Sequence, residues 1–522
     1  MPMPPLTPAS GPRPLRIPGV FTALGILLAS TACSVGNTDE GGTAADTVRI
    51  ALPEEPPTLE PCDASLTATG RVTRSNITEA LTERVPKTGA LEPALATGWE
   101  RTSEDTWTFT MREGVTFHDG TAFDAEAAAF SIDRTVDSDI GCNVDGYIFG
   151  DSELTAEAVD DTTLKVTTAE PDPILPLRLS FIEIVPTDTD TQDKVREPVG
   201  TGPYKIKKWN QGVDLTLQRY DGYWGDEPAY TTARYVWRSE SSIRAAMVSQ
   251  NEADIAVGLT PQDSAGDSAV EYPNNETSYM RMDAGKEPLD DIRVRRAINY
   301  AIDKEGLVAS VFSGLGEPAG QIVPEGVTGH NDKIEPWPYD PEKAKELIDE
   351  ARADDVPVDT TITIIGRNGI YPKASEATEV VQRSLIDAGL SVEVKMLDVN
   401  AWMEYLLRPF PSDIGPTLLQ AQHGNQAGDA AFTMEQIYGS EGAQSSYGTD
   451  KLDSMIDKAE NAQDEKRQQA FADALAYQND EVVRDAVLAH MTGVMAISPE
   501  VSYSPNSATN DELRLRAMQP AE

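Results

Sequence analysis

Of the 4 histidines in the chain, one stands beside an aspartate, in Thr116-Phe117-His118-Asp119-Gly120. A His-Asp pair is part of the arrangement that activates a serine or cysteine nucleophile, the imidazole taking a proton and the carboxylate orienting it. The surroundings argue for a turn instead. The stretch follows closely on Thr106-Trp107-Thr108-Phe109-Thr110-Met111, whose alternation reads as a strand with one buried face, and Asp119-Gly120 is a turn signal. No G-x-S-x-G elbow accompanies it. A second candidate, Gly200-Thr201-Gly202-Pro203-Tyr204, lacks the Lys-Ser or Lys-Thr of a phosphate-cradling loop and runs into the strand-like Lys205-Ile206-Lys207-Lys208-Trp209, so it too reads as a turn. Carboxylates are so abundant that spacing alone nominates no glycosidase pair.

The chain has 3 cysteines. Arg13 and Arg16 form a short positive region, an apolar run from Ile17 to Ala32 is interrupted by Pro18 and Gly19, and "LLASTAC" places small residues ahead of Cys33. A run so short and broken does not span a bilayer and reads as a secretory signal over residues 1–32. Its end resembles a bacterial lipobox, in which the signal is cut before the cysteine and the thiol takes a diacylglycerol; Ser30 stands where leucine is usual. Cys33 is therefore expected to carry lipid and hold the protein on a membrane face, with the polar, Gly-rich residues 33–45 as a tether. Ordinary secretion with Cys33 discarded is the alternative. With Cys33 lipidated, Cys62 and Cys142 remain, an even number that favours a disulfide in an oxidising compartment. Closing that loop is worth about 4 kcal/mol on the chain-entropy view. Neither cysteine has a Cys or His at metal-ligand spacing, so no metal or other cofactor is expected.

At 522 residues, with 39% hydrophobic residues and no low-complexity run, the chain is too long for one core and should divide into two or three domains. Its 86 acidic against 43 basic residues leave a formal charge of −43, which repels nucleic acid and anionic headgroups and excludes a nucleic-acid partner. The acidity reads first as a solvated surface; attraction of cationic solutes follows from it.

The elements that would position these residues mix strands and helices throughout. Val48, Ile50 and Leu52 mark an opening strand that leads into a Pro-rich loop near Cys62 and Asp63. A helix is expected from Asp124, and a strand over Asp161 to Thr168. Ile206 should face the Val213, Leu215, Leu217 alternation across a Gln211-Gly212 turn, and a helix "SSIRAAMVSQ" leads to a strand "DIAVGL". Ile292, Ile298, Ala301 and Ile302 lie at helical spacing behind a cap at Asp290 or Asp291, and Asp340 with Pro341 opens another helix. "TITII", "ASEATEVVQRSLIDAG" and "LSVEVKMLD" make a strand, helix, strand unit stopped by Gly389, which implies a right-handed parallel crossover. The class is α/β in more than one domain.

Several blocks then resemble the bacterial extracellular solute-binding protein family 5, large lipoproteins that feed peptides, nickel complexes and related solutes to ABC importers. They are "LEPALATGWERTSEDTWTFTMREGVTFHDGTAFDAEAAAFSIDR", "PVGTGPYKIKKW" with "YDGYWG", "EPLDDIRVRRAINYAIDKEGLVASVFSGLGEPA", "YDPEKAKELIDEA" and "KLDSMIDKAE". Five blocks in family order are specific where any one alone is not. The resemblance implies that "TFHDG" is a structural turn. It also implies a two-lobed periplasmic-binding-protein-like fold of class II type with an extra inserted α/β domain. The first lobe takes residues 46–69, 204–285 and 490–522, the inserted domain residues 70–203, and the second lobe residues 286–489.

The implied function is non-enzymatic: a monomeric receptor, lipid-anchored outside the cytoplasm, closes on a small solute and docks on a permease. Site residues carry over by position. Arg367, in a loop after a second-lobe strand, matches an arginine that pairs with a ligand carboxylate in dipeptide-binding members. The position of the aspartate that holds a peptide ammonium falls near Asn425 or Gln426, both neutral, with Asp429 as the next acidic position. Asp63 and Ser65 match a cleft-lining region, and His423 is the histidine suited to a ligand, because nickel-binding members capture a chelate with few protein groups. Trp402 and Tyr405 read as helix packing. A peptide-like solute is expected first, a nickel or metal chelate second; an extracellular hydrolase and a purely adhesive or chaperone-like surface protein are the readings from other classes.

Overall fold

The opening alternation forms the strand Thr47–Leu52, with Val48, Ile50, Ala51 and Leu52 buried. In the computed structural model the described residues are 46–521, apart from 138, 150–152, 264, 265, 267, 412, 413, 510 and 511. The expected signal, Cys33 and the tether lie outside them. Among the described residues no helix is long and apolar enough to cross a membrane.

Thr47–Leu52 pairs in parallel with Thr232–Trp237 on one side and Ile255–Ala256 on the other. From there an 11-stranded sheet extends both ways. One arm is the antiparallel run Thr232–Trp237, Asp214–Arg219, Tyr204–Asn210. The other passes through Asp485–Ile497 and Ala269–Met282 to Thr417–Gly424, Ile362–Arg367 and Val392–Leu397. The expected hairpin holds Ile206 opposite Leu217, but Val213 belongs to the turn and is exposed, because Gly212 at φ 74° reverses the chain just before it. Gly258 at φ 65° likewise cuts the expected strand "DIAVGL" down to Ile255–Ala256.

The two longest strands, Ala269–Met282 and Asp485–Ile497, run antiparallel along most of their length. Pro273 faces Thr492, yet Thr277 faces His490, so a bulge inserts extra residues in the first strand, with Asn275 at φ 56°. At the bulge the Thr277 hydroxyl lies 2.9 Å from His490 Nδ1.

The parallel crossover stands as expected: Ile362–Arg367 pairs in parallel with Val392–Leu397, the helix Ala374–Asp387 joins them, and Gly389 at φ 101° stops it. Helices Ile292–Ala301 and Pro341–Ala353 pack beside it around Ile298, Ile348, Ile364 and Val381. Their caps are Asp291, which accepts from the Arg293 N–H, and Asp340, which accepts from the Lys343 N–H. A separate four-stranded antiparallel sheet has the order Ala96–Arg101, Thr106–Met111, Thr163–Thr168, Leu154–Asp160. The helix Ala125–Val136, capped by Asp124, closes its core of Phe109, Phe117, Ile132, Leu164 and Val166.

Candidate functional site

His118 and the "GTGPY" stretch turn out to be two halves of one joint. The imidazole Nε2 donates to the Gly202 carbonyl at 2.9 Å, Nδ1 accepts from the Gly200 N–H at 3.3 Å, and the His118 N–H donates to the Gly200 carbonyl at 2.9 Å. Asp119 turns to its own loop, accepting from the Thr121 N–H and hydroxyl at 2.9 and 2.7 Å. A Cβ at Gly200 or Gly202 would meet the Ile77 or Asn76 carbonyl at 2.2 or 2.5 Å, which is why glycine stands there. Burial lowers the His118 pKa to about 4, so the ring stays neutral and its tautomer is set by the Gly202 carbonyl.

A depressed histidine contributes stability that is complete above its unfolded pKa and is lost as pH falls through the folded one. His118→Gln should therefore cost most above pH about 6.5, and the gap in melting temperature to the parent should narrow on acidification toward pH 4. A gap that does not change with pH would contradict the assignment.

A cavity of about 790 Å³ opens between the four-stranded domain and the far arm of the large sheet. One wall is the segment carrying Phe149, Glu153, Glu170, Asp172, Ile174 and Arg178. The opposite wall is Gln422, His423 and Gly424, at the end of the strand Thr417–Gly424, followed by Phe432 and Glu435. Glu460 and Arg467, from the helices Asp450–Glu460 and Asp464–Tyr477, complete it.

Of the binding residues expected from the sequence, His423 lines this cavity. Its Nε2 lies 2.8 Å from the Thr433 hydroxyl, which itself donates to Asn425 Oδ1 at 3.2 Å. The hydroxyl proton is spent on Asn425, so Nε2 is the donor and Nδ1 keeps its lone pair. Burial holds the ring near a pKa of about 4 and hence neutral.

The other expected residues lie outside the cavity lining. Asn425 is buried, its amide donating to the Asn275 and Ile322 carbonyls at 3.3 and 3.2 Å. The Gln426 carbonyl accepts from the Arg84 guanidinium. Asp429 forms a buried two-oxygen pair with Arg467, 2.8 Å to each, and caps the next turn through the Ala431 N–H. Arg367 places its guanidinium 5.4 Å from the Trp402 ring centre, and its N–H donates to Gln420 Oε1 at 3.2 Å. Tyr405 takes a comparable role against Lys395, whose ammonium donates to its hydroxyl at 3.1 Å.

Asp63 is buried and accepts from the Lys194 ammonium at 2.9 and 2.8 Å and from the Asn143 N–H at 3.2 Å, while the Ser65 hydroxyl donates to Asn143 Oδ1 at 2.5 Å. The residues just before Asp63 and Asn143 are joined, Cys62 to Cys142, with Sγ–Sγ 2.13 Å. Among the described residues no group of three or more His, Cys, Asp or Glu is placed to hold a metal ion. Glu435 and Glu460 carry no local signal in a chain this acidic, and Arg178 and Arg467 reach the cavity only through tertiary contacts that spacing does not encode.

The profile described as "Bacterial extracellular solute-binding proteins, family 5 Middle" matches residues 90–447. A dipeptide-binding protein of Escherichia coli K12 is 30% identical over 350 residues, spanning 60% of this chain and 64% of its own length, just under two thirds. A glutathione-binding protein of Salmonella paratyphi A is 27% identical over 418 residues, 76% of this chain and 78% of its own. Among solved structures, the ABC transporter substrate-binding protein CtaP of Listeria monocytogenes superposes with a TM-score of 0.79 at 21% identity, over 91% of this chain and 99% of its own. DppA of Helicobacter pylori, in complex with a peptide, gives 0.73 at 22%, over 91% and 98%. A nickel ABC transporter protein of Bacillus halodurans gives 0.75 at 22%, over 91% and 99%. With an α/β fold of the periplasmic-binding-protein type and a profile match over most of its length, the chain belongs to the bacterial extracellular solute-binding proteins of family 5.

Proposed function

We propose that the protein is the solute receptor of an ABC importer, capturing a peptide or peptide-like solute in the cavity beside His423 and passing it to a permease without chemical change. The observation that carries this reading is the cavity itself. At about 790 Å³ it has the size of a small-molecule site, and its walls come from the expected inserted domain and second lobe, so relative movement would open and close it. The lobe boundaries given above, a monomeric receptor and a lipid anchor at Cys33 belong to the same reading. A dipeptide-binding and a glutathione-binding relative support the solute class.

Native mass spectrometry of the secreted protein, against the same sample denatured, tests it. The expected result is a discrete extra mass lost on denaturation, with fragments of a peptide. Turnover of an added peptide would overturn the receptor reading, as would an unchanged small-angle scattering profile across a broad solute panel. One feature favours a second reading, a metal chelate: His423 lines the cavity with a neutral ring whose Nε2 is taken up by Thr433. A metal in the released mass would select it.

A further inference from the structure

Among the described residues the cavity presents two guanidiniums, and each faces a carboxylate of the protein. Arg178 Nε lies 2.9 Å from Asp172 Oδ2, and a further nitrogen donates to the Ile148 carbonyl. Arg467 holds both oxygens of Asp429 and donates to the Glu460 carbonyl at 2.7 Å. No lysine lines the cavity among the described residues, and His423 is neutral. The carboxylates are placed otherwise. Glu435 is exposed on the wall, and Glu460 buries Oε1 with no hydrogen-bond partner in the protein.

We propose that the cavity selects a solute of net positive charge, bearing an ammonium or guanidinium that Glu460 and Glu435 receive. This rests on the cavity being the solute site. Among the described residues the carboxylates Glu153, Glu170, Asp172, Glu435 and Glu460 line the cavity against two guanidiniums that already face Asp172 and Asp429, so a ligand carboxylate or phosphate would compete with those partners, whereas a cation meets the exposed Glu435 beside Glu460. The formal charge of −43 adds long-range attraction for cations and should make association salt-dependent.

Protons provide an independent readout. Burial first, and the neighbouring Glu435 charge second, raise the Glu460 pKa to about 7; Asp457 adds to this, and Arg467 and Arg178 act against it. A cation that pairs with the ionised carboxylate must expel the proton, so binding should tighten from pH 6 to pH 8 and release protons below about pH 7.

The test is calorimetric titration of the secreted protein, after unfolding and refolding to remove any solute, with trilysine, trialanine, triglutamate and the non-peptide cation agmatine. Trilysine or agmatine should bind, triglutamate should not, and Glu460→Gln should weaken cation binding about tenfold or more while removing most of its pH dependence. Glu435→Gln, at an exposed position that folding does not depend on, should weaken it in the same direction. Triglutamate or trialanine binding as tightly as trilysine would overturn the charge preference while leaving the receptor reading in place. Failure of both cations to bind would overturn it too, and so would cation affinity unchanged in both variants. Failure of the receptor reading would show differently, as hydrolysis of the peptides or no co-purifying solute and no closure with any probe.

Discussion

Glu60→Ala should lower the free energy of unfolding by about 3 to 5 kcal/mol, among the largest effects available to a single substitution in this chain. The Glu60 carboxylate is fully buried and accepts from two nitrogens of Arg134 at 2.7 and 3.1 Å, from the Val195 N–H at 2.7 Å and from the Cys62 N–H at 3.2 Å. Its loss removes the counter-charge of a guanidinium that is itself only 2% exposed along its side chain, though Nε still donates to the Asp190 carbonyl at 2.7 Å. The cost comes mainly from burying that charge without its counter-ion, because a buried pair compared with an apolar pair is worth little. The double variant Glu60→Leu with Arg134→Met should therefore be closer to the parent than Glu60→Ala is. Urea midpoints of the three proteins decide it; a double variant as unstable as the single one would place the effect in packing instead of charge.

Replacing Cys62 and Cys142 together by serine should cost about 4 kcal/mol, since the bond closes a loop with a sequence separation of 80. The disulfide and the Glu60 pair secure the same junction between the loop after the opening strand and the four-stranded domain, with Asp63 and Lys194 as a third tie. Contacts this close share the ordering of one segment, so the combined variants should lose less or more than the sum of their separate costs. Reductant added to the parent protein should reproduce the effect of the double serine variant. An unchanged urea midpoint in both cases would show that the junction holds without the bond.

Elements with local causes were legible in the sequence. Asp124 and Asp340 cap the helices that their spacing implied, and Gly389 ends the crossover helix because it alone takes φ 101° there without strain. Five family blocks identified the fold. What local pattern does not encode is which charge meets which. Asp63 has the position of a cleft residue, but its carboxylate meets Lys194 from a distant part of the chain. Asp429 meets Arg467 across another long separation. Glu460 looks like any acidic helix end until the fold leaves one of its oxygens without a donor. Val213 shows the same limit for strands, since alternation carried it into a hairpin whose turn excludes it.

The arrangement of the large sheet also sets an order of assembly. The opening strand Thr47–Leu52 is flanked by Thr232–Trp237 and Ile255–Ala256, and the latter is closed in turn by Asp485–Ile497. Near the end of the chain, the Leu513 carbonyl and the Leu515 N–H bond the side chain of Asn76. The strand Thr47–Leu52 thus waits for Asp485–Ile497, far later in sequence, before its neighbours are complete. Contacts so distant in sequence make folding slow and leave Val48, Ile50 and Leu52 uncovered in every partial chain. A chain that stops short of Asp485–Ile497 should therefore be found in aggregates or degraded, as fractionation of a truncated product would show.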